Sequence, residues 1–116
     1  MKQERIRVLL ADDHGMIREG LRRVLEDGGD IEVVAEAGDG LDAVQKTDNL
    51  KPDVVVMDLS MPGMGGLDAI ERIRAMQPKT RILVLTMHDN VQYAVHTLQG
   101  GADGFVLKQA AAGELV

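Results

Sequence analysis

The chain has 116 residues, 13 Lys+Arg against 19 Asp+Glu for a formal charge of −6, no cysteine, no tryptophan, one tyrosine and one phenylalanine. That length suits a single domain with its own core, and the lack of cysteine removes disulfides, thiolate catalysis and thiolate metal sites. The acidity and the 2% aromatic content exclude a nucleic-acid or anionic-membrane surface on this segment, which would need excess Lys and Arg and stacking rings, but they leave a cation site open.

The charged start Met1-Lys2-Gln3-Glu4-Arg5 runs directly into a strand-like segment with no apolar signal region, so a cytoplasmic protein is expected. No apolar stretch approaches the ~18 residues of a membrane span. Ile6 to Ala11 predicts a first strand, stopped by Asp12-Asp13. Ile17, Leu21, Val24 and Leu25 then recur at helical spacing and Gly28-Gly29 closes the helix. Arg18, Arg22 and Arg23 share that helix with Glu19 and Glu26 and read either as a solvated face or as a docking surface. Ile31 to Ala35 predicts a second strand, and Leu41 to Asp48 a weaker helix resting on Leu41 and Val44.

Pro52 precedes a third strand, Val54 to Met57, which ends in Asp58. Leu67, Ile70 and Ile73 mark a third helix, and Pro78 precedes a fourth strand, Arg81 to Leu85, ended by Thr86. Val91, Val95 and Leu98 mark a fourth helix, and Gly100-Gly101 leads to a fifth strand, Gly104 to Leu107, ended by Lys108. Ala110 to Val116 begins a fifth helix that stops within a turn or two, so a fragment of a longer protein is expected. The seven methionines are expected mostly as gap-filling core. This alternation predicts an α/β fold, a doubly wound five-stranded parallel sheet with right-handed crossovers and a truncated fifth helix.

In such a sheet, ligands bind outside the carboxyl ends of the strands. Asp12, Asp13, Asp58, Thr86 and Lys108 would therefore meet in one crevice. Taken singly, each has a plainer role: the acids as turn formers or helix caps, Thr86 as a cap, Lys108 as a solvated charge. Their conjunction at four strand ends is what points to a site. Clustered carboxylates repel one another and need a cation, and hard oxygen ligands favour Mg2+, Mn2+ or Ca2+. Asp58 can act there as a covalent nucleophile towards phosphorus, with Lys108 and Thr86 holding the product phosphate. Asp12 and Asp13 are expected where the strand breaks into a loop, and hence not to bind a metal identically. His14, His88 and His96 lack the paired spacing of a zinc site, and His14 is expected to order the first loop.

These residues resemble a response-regulator receiver domain from about Ile6 onward, through Asp12-Asp13, Asp58-Leu59-Ser60-Met61-Pro62-Gly63-Met64, Thr86 and Phe105-Val106-Leu107-Lys108. The run Ala11 to Leu21, with Gly101-Ala102-Asp103-Gly104-Phe105, is similar to the NarL/FixJ (LuxR-type) subfamily, whose receivers precede a helix-turn-helix DNA-binding domain. The resemblance implies a flavodoxin-like sheet of order 2-1-3-4-5 and a phosphorylation-controlled switch of a two-component system. Asp58 would accept a phosphoryl group from a sensor histidine kinase with Mg2+, or Mn2+. Asp13 and Asp58 would bind the metal directly, Asp12 largely through water, and the backbone carbonyl of Ser60 would complete the set. Thr86 and Lys108 would bind the phosphate, and Phe105 would turn inward with Thr86, reshaping the face of the fourth helix, fifth strand and fifth helix.

The implied chemistry is the chain's own phosphorylation and dephosphorylation, with no external substrate turned over. The implied partners are the kinase, a homodimer on phosphorylation, and DNA only through a C-terminal domain absent from this chain. Two features depart from the family pattern: Gln109 follows Lys108 where proline is often found in a cis bond, so a trans bond is expected, and Phe105 has no hydroxyl. Ser60 and His88 occupy positions that tune loss of the phosphoryl group in the family. The competing readings are a stand-alone receiver acting only through protein partners, an aspartyl-nucleophile phosphatase, which would want an acid where Ser60 stands, and a nucleotide binder, which would want a glycine-rich turn where Asp12-Asp13-His14 stands.

Overall fold

Five parallel strands form one sheet in the order β2-β1-β3-β4-β5: β1 (Ile6–Ala11), β2 (Ile31–Ala37), β3 (Val54–Asp58), β4 (Arg81–Thr86) and β5 (Gly104–Leu107). The connections carry α1 (Gly15–Glu26), α2 (Gly40–Leu50), α3 (Gly66–Met76) and α4 (Val91–Gln99). The computed structural model describes residues 5–59, 66–86 and 91–107. The expectations for Ser60, Met61, Met64, His88, Lys108, Gln109 and the fifth helix fall outside the described residues. Three strands run further than their apolar stretches, β2 to Ala37, β3 to Asp58 and β4 to Thr86, because ladder pairing continues through polar side chains.

Strand alternation sorts the side chains into two cores. Leu9, Ala11, Val55, Met57, Ile82 and Val84 face one side, where Ala43 and Val44 of α2 and Ala69, Ile70 and Ile73 of α3 pack on them, with Phe105 at the margin. Val8, Leu10, Val56 and Leu85 face the other side, against Leu21 and Leu25 of α1. Central strands buried on both faces explain why their sequences are almost wholly aliphatic.

The pairing of β1 with β2 shifts between Val8 and Leu9, so that Val8 lies beside Val33 but Leu9 beside Ala35. This bulge inserts Val34 and resets the alternation. Ala35 then joins the α2–α3 core, and Glu36, beside Leu10, turns to the α1 side. There Glu36 takes Arg18 at 2.8 Å and Arg22 at 2.7 Å. Arg22 also meets Glu26 at 3.4 Å, and Arg23 meets Glu19 at 3.0 Å. The hydrogen bonds that Arg22 donates to Glu36 and Glu26 hold the pKa of its guanidinium above the ordinary value. The arginines of α1 thus form an ion-paired face.

Helices α1 and α4 form where the apolar periodicity marks them, but not every periodic residue is buried, and the methionine expectation needs correction. Ile17 of α1 and Val95 and Leu98 of α4, which fit the apolar periodicity, are 42%, 46% and 38% exposed, whereas Thr97 of α4 is fully buried. A periodic stripe marks a helix but leaves open which edge of it reaches the sheet. Of the methionines described, only Met57 fills the core; Met16 is 90% exposed and Met76 lies at the surface.

Candidate functional site

The register brings the polar strand ends together. Ala11 of β1 pairs with Met57 of β3, so the next residues along, Asp12 and Asp58, emerge side by side. Asp58 in turn pairs with Leu85 of β4, immediately before Thr86. Strand order reverses between β1 and β3, since β2 lies outside β1, and a crevice opens at such a point. Asp12, Asp58 and Thr86 are all fully buried.

β1 breaks at Ala11, as expected from two adjacent acids, and the loop is ordered by Asp12 itself. Its Oδ1 accepts the backbone N–H of His14 at 2.8 Å, a turn that short acidic side chains favour. The His14 carbonyl then accepts the N–H of Arg18 at 2.9 Å to start α1. The guanidinium of Arg18 bridges back, Nη1 donating to the Asp12 carbonyl at 2.6 Å while Nε meets Glu36 at 2.8 Å. The bulge in β2 that aims Glu36 at α1 therefore also anchors the end of β1. Asp13, past the turn, keeps its side chain 27% exposed. The two neighbouring acids thus differ in burial.

One atom from each of Asp12, Asp13, His14 and Asp58 lies within 4.8 Å of all the others. Three carboxylate oxygens at that separation make a hard donor set suited to a divalent cation, so the residues fit the Mg2+ or Mn2+ expected from sequence. His14 is the member that sequence reasoning placed only as a loop former. Its Nδ1 lies 3.0 Å from Asp13 Oδ1, 3.2 Å from Asp12 Oδ1 and 3.8 Å from Asp58 Oδ2. The available signal was its place directly after the two acids at a strand end. Phe105 sits on β5 beside Val84, partly buried against the α2–α3 core.

Among the described residues, no helix is long and apolar enough to cross a membrane. Residues 8–116 match the response regulator receiver domain family. The chain is 47% identical over 106 residues to the oxygen regulatory protein NreC of Staphylococcus aureus, an alignment covering 90% of this chain and 49% of that protein. It is similar in structure to the signal receiver domain of the response regulator NarL from Mycobacterium tuberculosis, with a TM-score of 0.91 and 38% identity over 98% of this chain and 92% of that one. A LuxR-family two-component response regulator from Aurantimonas sp. SI85-9A1 gives a TM-score of 0.89 and 41% identity over 97% of this chain and 80% of that one. The chain spans about half the length of the curated relatives it matches.

Proposed function

The chain belongs to the response regulator receiver domain family, of NarL/LuxR type, and on that ground we propose that it is a two-component switch whose phosphoacceptor is Asp58. The observation that carries this reading is the convergence of Asp12, Asp13 and Asp58 at the reversal of strand order, with Thr86 on the adjoining strand end. A carboxylate oxygen of Asp58 attacks the phosphorus of a kinase phosphohistidine, forming an O–P bond as the P–N bond breaks and the imidazole leaves. Asp13 and Asp58 would hold Mg2+ or Mn2+, with Asp12 acting through water and the Ser60 carbonyl completing the set, and the bound ion supplies charge neutralisation to the phosphoryl oxygens. Thr86 and Lys108 receive those oxygens on the product, and burial of Asp58 limits the access of water to it.

Readout runs through α4 and β5. Thr86 ends the strand beside β5, Phe105 lies on that strand, and the Tyr93, Val95 and Leu98 side chains of α4 are more than a third exposed. Movement of Thr86 and Phe105 on phosphorylation would reshape this apolar face and promote a homodimer. Transcriptional control would follow through a DNA-binding domain beyond this chain, and a cytoplasmic location suits such a partner. Intact-mass measurement after incubation with acetyl phosphate tests the reading: one phosphate adduct is expected with Mg2+, none with chelator, and none in Asp58→Ala. An adduct that persists in Asp58→Ala overturns it.

A further inference from the structure

We propose that His14 is a nitrogen ligand of the cation site and biases it towards Mn2+ over Mg2+. This rests on the reading that the acidic cluster holds a divalent cation. Octahedral bonds of about 2.1 Å place neighbouring ligand atoms about 3 Å apart and opposite ones about 4.2 Å apart. The 3.0 Å from His14 Nδ1 to Asp13 Oδ1 is the spacing of neighbours in one coordination sphere, and the 3.2 Å to Asp12 Oδ1 is the hydrogen bond that holds the ring beside the site. The 3.8 Å to Asp58 Oδ2 falls between the neighbouring and opposite distances.

The placement is built into the chain. His14 is the N-cap residue of α1, yet its side chain makes no capping hydrogen bond. Its backbone is pinned on both sides, the N–H by Asp12 Oδ1 at 2.8 Å and the carbonyl by the Arg18 N–H at 2.9 Å, and the ring is left against the acids. At these distances the ring presents a nitrogen lone pair that a cation held by the acids can accept. Mg2+ gains little from an imidazole, whereas first-row ions accept nitrogen readily, so the residue acts on selectivity.

The test titrates the native chain, His14→Ala and His14→Gln with Mn2+ at one fixed pH, following the spin-resonance signal of free Mn2+, with Mg2+ as competitor. Both variants are expected to weaken Mn2+ about tenfold while Mg2+ moves by less than about threefold. Nitrogen hyperfine modulation on bound Mn2+ is expected in the native chain and lost in both variants. Equal changes for the two ions, tightening of both, or no nitrogen modulation in the native chain would overturn the assignment to His14 while leaving the cation site standing. No Mn2+ binding by the native chain, or binding that survives in Asp13→Asn/Asp58→Asn, would overturn the cation site as well.

Discussion

At the amino ends of the strands, Asp53 accepts the Arg7 N–H and Asp103 the Ile82 N–H, each at 2.8 Å, and Asp103 also meets Arg74 at 2.7 Å. At the carboxyl ends, Asp12, Asp13 and Asp58 crowd around one another and around His14. The same side chain serves as a staple at one end of the sheet and as site chemistry at the other. What separates the two is where each carboxylate's charge is met. A backbone N–H and a guanidinium use it up within the fold, whereas convergence on other carboxylates stores like-charge repulsion that a cation can relieve. Stability and function should therefore respond to different residues.

The largest effect should be the loss of labelling in Asp58→Ala at full Mg2+. The matching change at the other end, Arg74→Ala, should leave that labelling intact. Arg74 donates to the carbonyls of Gly101, Pro78 and Thr80 as well as to Asp103, tying α3 to the loops that precede β4 and β5. Its loss should cost about 2–3 kcal/mol in urea denaturation, because the carbonyls it reaches lose their donor together. A labelling defect in folded Arg74→Ala would break the separation between the two ends.

Cation binding offers a smaller effect of opposite sign. Mg2+ at ten times its dissociation constant should stabilise the native chain by about 1.4 kcal/mol through mass action. Arg74→Ala should keep that increment and Asp13→Asn should lose it, as read by thermal denaturation with and without Mg2+.

Asp103 tests the staple through pH. Burial pushes its carboxyl up, but the Ile82 N–H and the Arg74 and Arg81 guanidinium groups outweigh this and hold it below the ordinary carboxylate value. A lowered folded value means stability that is complete above the unfolded value, about 3.9, and lost as pH falls through the folded one. Because the Asp103 side chain is 36% exposed and screened by solvent, Asp103→Asn should cost only about 0.5 kcal/mol at pH 7. The difference should shrink below about pH 4, and an unchanged difference at pH 2.5 would show that charge is not what Asp103 contributes.

The strand ends are legible in the sequence because aliphatic runs closed by acids, a threonine or a lysine need only period and punctuation to be seen. That Asp12 and Asp58 meet in one crevice follows from their places at strand ends, but the strand order that sets β1 beside β3 is legible only through the family resemblance, since pairing order is a long-range property. Three features lie beyond sequence reasoning. The bulge at Val34 carries no glycine or proline to mark it. The turn of α4 that buries Thr97 and leaves Val95 and Leu98 exposed runs against hydropathy. The imidazole of His14 reaches the acids only through the turn in which the Asp12 carboxylate accepts the His14 backbone N–H.

A comparably small effect lies at Lys51, which ends α2 at φ 48° and ψ 60°, its N–H donating to the Thr47 carbonyl at 2.9 Å. This left-handed cap is where glycine is favoured, because a Cβ there crowds the following backbone. Lys51→Gly removes that strain and keeps both the cap bond and the carbonyl that accepts Arg7 Nη1 at 3.1 Å. The greater freedom of glycine in the unfolded chain offsets part of the gain, leaving about 0.5 kcal/mol of stabilisation. Gly29→Ala, at φ 80°, is the control of opposite sign and should destabilise. Both residues lie in loops at the amino ends of strands, so neither change should alter Mg2+-dependent labelling of Asp58. A gain in stability with unchanged labelling would show that the backbone at this end can be improved without touching the acids at the other.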